Sequence, residues 1–118
     1  MAFYRATLGG GGSDVAYGHI NNLTANQSVT VSGLGFEPTV IMAVTTDNGD
    51  GGAYTFLFDK DFSLSQQRYC GQNQKTWGTY AYPATSASGF SAINSDGFIF
   101  HQNPSYGAAG LDYIAIKE

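Results

Sequence analysis

The sequence predicts an all-β fold: an antiparallel Greek-key β-sandwich with a glycine-tethered N-terminal arm. Three observations lead there. Apolar and polar residues alternate in short runs, and helical periodicity is almost absent. Sixteen glycines, with many Asn, Ser and Thr, punctuate those runs at roughly ten-residue intervals, the signature of a sandwich or barrel. Hydrophobic residues make up 42% of 118 positions and charged residues only 12%, about half the usual share of about 25%. Such a chain can build a core and is too uncharged for disorder. It makes one domain, because two cores of half this length would each bury too little.

The elements follow in order. Val15-Ala16-Tyr17-Gly18-His19-Ile20 is the first strand. Gln27-Ser28-Val29-Thr30-Val31-Ser32 alternates cleanly, with Val29 and Val31 inward. Residues 39–46 are apolar on both parities, the pattern of a central strand buried on both sides. Pro38 precedes that strand, where a missing N–H does no harm to the ladder. A turn over 47–52 leads to a strand at 53–58, and Asp59-Lys60-Asp61-Phe62 turns again. Residues 66–71 and 76–82 are further strands, and an irregular loop covers 83–89. Residues 90–93 and 98–101 form a hairpin around Asn94-Ser95-Asp96-Gly97. Asp-Gly at its tip is expected to supply positive φ angles. A loop over 102–110 precedes the final strand, 112–117.

Residues 1–14 differ from the domain at 15–118. An apolar segment containing Phe3, Tyr4 and Leu8 is followed by Gly9-Gly10-Gly11-Gly12, a flexible tether. The expectation is an arm that anchors somewhere other than its own core. A first strand packed on its own sheet, or a frayed end, are the other readings of this segment.

Net charge is −4, and Arg5, Lys60, Arg68, Lys75 and Lys117 are nowhere adjacent. Phosphate neutralisation needs a basic patch, so nucleic-acid binding is not expected, nor is binding to anionic membranes. No apolar run approaches the ~20 residues of a membrane span. No secretory leader opens the chain, so it is expected to be made in a cytoplasm and not secreted. Cys70 is the single cysteine, so the fold needs no intrachain disulfide. So little charge also favours a surface partly covered by copies of the chain or by partners.

Enzymatic motifs are missing: there is no Gly-x-Ser-x-Gly elbow and no Cys–His arrangement. His19 and His101 are the only histidines, read as surface or strand-edge residues. Two histidines without a spaced third ligand do not make a metal site. Asp47-Asn48-Gly49-Asp50-Gly51 lacks calcium-loop spacing and a closing Glu. No cofactor and no catalysis are expected. The aromatic residues say more, with eight Phe, eight Tyr and one Trp. Phe belongs mostly to the core. Tyr and Trp pair an apolar ring with a polar tip, which suits stacking on a sugar beside amide donors and acceptors. Asn73, Tyr80 and Tyr82 form one such set, and His101, Gln102, Asn103 and Tyr106 a second. Strand alternation puts Trp77 on the face opposite Tyr80 and Tyr82. Core or subunit interface is the competing reading for Trp77 and most of these tyrosines.

Three segments carry a family likeness: Gly35-Phe36-Glu37-Pro38-Thr39-Val40-Ile41-Met42-Ala43-Val44, then Ser95-Asp96-Gly97-Phe98-Ile99-Phe100, then Asp112-Tyr113-Ile114-Ala115-Ile116-Lys117. Together they resemble the small β-sandwich of H-type lectins, similar modules of which form tips and appendages of tailed bacteriophages. The likeness covers about residues 28–118. The family usually closes on Trp-Ile-Ala, whereas Tyr113 stands here. Its sugar contacts do not match residue by residue, so the glycan set rests on side-chain chemistry and fold analogy. The resemblance implies a non-enzymatic virion surface protein, made in the host bacterial cytoplasm and acting as a homotrimer beside other virion proteins. As a tail-appendage, receptor-binding module it would recognise host cell-surface glycan. As a capsid decoration protein it would stabilise or coat the shell, with residues 2–13 against the lattice.

Overall fold

A computed structural model describes residues 14–47, 53–61, 66–70, 77–81, 88–102 and 107–118; for 47, 53, 66–70 and 77–81 the backbone alone is described. All secondary structure among the described residues is strand. The strands are β1 (Asp14–Leu23), β2 (Ser28–Val31), β3 (Val40–Asp47), β4 (Ala53–Asp59), β5 (Gln66–Cys70), β6 (Trp77–Ala81), β7 (Gly89–Asn94), β8 (Gly97–His101) and β9 (Ala108–Lys117). Every pairing is antiparallel. A four-stranded sheet runs β1-β9-β3-β4, a three-stranded sheet β2-β8-β7, and β5-β6 form a hairpin whose β5 lies alongside β4. The all-β sandwich expected from the sequence is the fold observed. β9 starts earlier than the sequence suggested, because Ala108–Gly110 already pair with β1 and β3.

The core lies between the two larger sheets. From the four-stranded sheet, Ala16, Ile20, Ile41, Ala43, Tyr54, Phe56, Leu111, Tyr113 and Ala115 point inward. Val29, Val31, Phe90, Phe98 and Phe100 meet them from the three-stranded sheet. Phe90 sits at the centre, edge-to-face with Phe58, Phe98 and Phe100 at centroid distances of 6.4, 5.6 and 5.7 Å. Phe56–Phe100 and Phe98–Tyr113, both at 5.2 Å, tie one sheet to the other. Such pairs contribute about 0.5–1.5 kcal/mol each beyond the area they bury. Phe36 and Pro38, the aromatic-proline lead into β3, are buried as anchors.

The β7–β8 turn departs from expectation. Asn94 pairs with Gly97, so Ser95 and Asp96 form the tip, and neither Asp96 nor Gly97 has positive φ. Gly97 is required for a steric reason: a Cβ there would run into the backbone carbonyl of Val31. Asp96 has a structural task. Its carboxylate accepts the backbone N–H of Gly33 and of Gly35, each at 2.8 Å, and its carbonyl accepts the N–H of Leu34 at 3.1 Å. Gly33 and Gly35 have φ of 79° and 81°, which glycine adopts without strain. This clamp fixes the crossover from the three-stranded sheet into β3.

Candidate functional site

Two surfaces of the sandwich carry chemistry. The first is the outer face of the four-stranded sheet. Tyr17 stands opposite Ile114, Ile114 opposite Met42, and Met42 opposite Leu57, a row crossing all four strands. Tyr17, Met42 and Ile114 are 48%, 48% and 45% exposed. Val44 is also exposed, and Val15, Val40 and Ile116 in the next row are half-buried. The result is a contiguous apolar band. Residues 39–46 were expected to be buried on both sides. Among the described residues they are covered on one side only, and Met42 and Val44 face outward, 48% and 39% exposed.

His19, Asp112 and Val44 form the adjoining row. His19 Nδ1 is 2.7 Å from Asp112 Oδ1, and its Nε2 is 2.5 Å from Asn21 Oδ1. The ring lies over Gly110, where a Cβ would stand 2.8 Å from His19 Cε1. The hydrogen bond to Asp112, and after it that to Asn21, hold the imidazole above the ordinary histidine range, while desolvation pulls the other way. Sequence reasoning treated His19 as an unremarked polar residue. Its partner lies 93 positions away, and only the pairing of β1 with β9 joins them.

The second surface is the end of the sandwich where β8 meets the β1–β2 turn. His101 Nδ1 lies 3.2 Å from the Ser28 hydroxyl, and the N–H of Gln102 donates to the Gln27 carbonyl at 2.8 Å. Gln27 Oε1 in turn accepts from the backbone N–H and the hydroxyl of Thr24, at 2.8 and 3.1 Å. His101 is half-buried, and its Nε2 has no hydrogen-bond partner among the described residues. Gln102 is only 2% exposed, a position that holds the turn and does not present its side chain outward. Of the other glycan candidates, Tyr80 lies on β6, described by its backbone alone, and Asn73, Tyr82, Asn103 and Tyr106 lie outside the described residues. So do the anchoring candidates Phe3, Tyr4 and Leu8. The described part of the set therefore comes down to His101 beside a hydrogen-bonded turn.

In the core, the Tyr113 hydroxyl is buried with no hydrogen-bond partner among the described residues, and burial pushes its pKa up. Its ring packs over Gly18, where a Cβ would stand 2.5 Å from the hydroxyl oxygen. Among the described residues no three His, Cys, Asp or Glu side chains come together as metal ligands. No family model, no curated protein and no solved structure matches this chain.

Proposed function

We propose that this chain is a non-enzymatic, self-assembling surface module of a tailed-bacteriophage virion, a homotrimer that serves as a tail-appendage receptor-binding protein. The observation that carries the reading is the row Tyr17–Ile114–Met42, an exposed apolar band in register across the larger sheet. Single-chain proteins rarely expose contiguous apolar surface beyond a few hundred Å². Strands of 10, 10, 8 and 7 residues at about 3.4 Å per residue and about 4.8 Å apart give a whole face, polar positions included, of roughly 570 Å² before side-chain relief. Side-chain relief brings that to the lower end of the ~600–1,000 Å² per partner of a standard interface. The two-sided apolar pattern of β3 has the same explanation, with a second copy covering the outer side. Three-fold symmetry, the virion and the glycan ligand are supported by the H-type resemblance and by the polar-aromatic composition of the loops.

Sedimentation equilibrium at micromolar concentration should give about three times the 12.5 kDa chain mass. A monomer at every concentration overturns the assembly reading. Virions carrying Tyr106→Ala should adsorb more weakly to host cells, with affinity arising from several weak sites acting together. Normal adsorption by virions that lack the protein would replace receptor binding with capsid decoration. Deleting residues 1–13, with Phe3, Tyr4 and Leu8, should remove incorporation into the particle and leave the melting temperature within a few degrees.

A further inference from the structure

The apolar face contains one charged pair whose geometry constrains its protonation. Both His19 ring nitrogens face acceptors, the Asp112 carboxylate and the Asn21 amide oxygen. A neutral imidazole carries one N–H and satisfies one of them, while the imidazolium donates to both. The His19–Asp112–Val44–Thr55 row adjoins Tyr17–Ile114–Met42–Leu57, so a chain seated on the apolar row covers the pair as well.

We propose that self-association through this face is proton-linked: His19 enters the interface as an imidazolium that neutralises Asp112, and its deprotonation separates the copies. The inference rests on reading this face as the contact between copies of the chain. In the single chain the pair is largely exposed, with side chains 37% and 71% accessible, and such pairs contribute little. Covering it changes the balance. Without water to compensate it, an unpaired Asp112 becomes costly, and so does the acceptor left without a donor. Few other charges share the face. β1 adds Tyr17 beside His19 and β4 adds Asp59 opposite Val40, while Asp14 and Lys117 pair at the far end of the sheet on the inward parity of their strands. β3 has no charged residue at Val40, Met42, Val44 or Thr46 and ends at Asp47. A second copy brings the same groups.

The sign follows from the direction of the shift. Association favours the protonated ring, so the added stability is present at low pH and is lost as pH rises through the raised value. The test is sedimentation of the full chain at pH 6.0, 7.0 and 8.5, for wild type, His19→Gln and Met42→Asp. Wild-type association should weaken by about tenfold or more from pH 6.0 to 8.5, and His19→Gln should be flat over the same range. Wild-type assembly that is equal at all three values overturns the proton linkage and leaves the interface standing. A slope retained in His19→Gln overturns it too, because another group then titrates. Met42→Asp that assembles like wild type overturns the interface itself. A nitrogen NMR titration showing neutral His19 at pH 6.0, with the Asn21 amide turned to donate, also overturns the proposal.

Discussion

The two faces of the four-stranded sheet are built from neighbouring residues of the same strands and meet opposite fates. Ala16, Ala43, Ala115 and Tyr113 face inward and are at most 2% exposed. Tyr17, Met42 and Ile114, each one position away, face outward and are nearly half exposed. Both sets are apolar. On a sheet with one solvated face the outer set should be polar, because alternation follows burial. Here the outer set keeps core-like chemistry and is nearly half exposed among the described residues. The glycines repeat the contrast. Gly18 clears the inner face for the Tyr113 ring, and Gly110 clears the outer face for the His19 ring. The inner face is packing that folds the chain, and the outer face is apolar surface left exposed on the single chain.

The largest expected effect tests the inner side. Phe90 is fully buried and makes three edge-to-face contacts. Phe90→Ala should cost ~3–5 kcal/mol, the lost transfer energy plus a cavity between two sheets that cannot collapse onto it. Chemical denaturation of the wild type and the variant measures this directly. A loss under 1 kcal/mol would mean that the two sheets are held together by something other than this aromatic cluster.

An intermediate effect is expected where the chain passes from the inner layer to the larger sheet. Asp96 accepts two backbone N–H groups of the 33–35 crossover. Asp96→Ala should destabilise by about 1–3 kcal/mol, because both donors lose a charged acceptor. Asp96→Asn keeps one carbonyl oxygen and should recover part of the loss. Equal stability of Asp96→Ala and wild type would show that water satisfies the crossover as well as the carboxylate does.

Much of this architecture was legible in the sequence because it is local. Ser28–Val31 alternates with period two, and the structure buries Val29 and Val31 and exposes Ser28 and Thr30 as that period requires. The hairpin around Ser95 was also visible, though its mechanics were not. Asp-Gly suggested positive φ, whereas Gly97 is needed for its missing Cβ and Asp96 for its reach to a loop more than sixty positions back in the chain. Period-two patterns fix faces but not partners. The His19–Asp112 pair depends on β1 lying beside β9, and nothing in either segment's composition announces that. The run at 39–46 is apolar on both parities, but the burial on both sides expected from that pattern is found on one side only among the described residues. Sequence alone could not tell that Met42 and Val44 would stay exposed on the single chain. For the polar-aromatic set, chemistry could be read residue by residue, but the burial of Gln102 depends on its place between β8 and the β1–β2 turn.

The smallest effect on the fold tests the outer face, and it should coincide with a large effect on association. Met42 is half exposed at the middle of the apolar row, opposite Ile114 and Leu57. Met42→Asp places a carboxylate at an exposed position of an intact strand. Folding stability of the isolated chain should change by about 0.5 kcal/mol or less, as for most surface substitutions. The same carboxylate buried against a second copy would lack a cationic partner, and desolvating it is expensive. The variant should therefore sediment as a monomer while unfolding at nearly the wild-type denaturant concentration. Ile114→Asp, the neighbour in the row, should behave alike, and the double variant should be no less associated than either single one. A Met42→Asp chain that is both monomeric and strongly destabilised would give a different result: the outer face would then belong to the fold of the single chain, and the contrast between the two faces would fail.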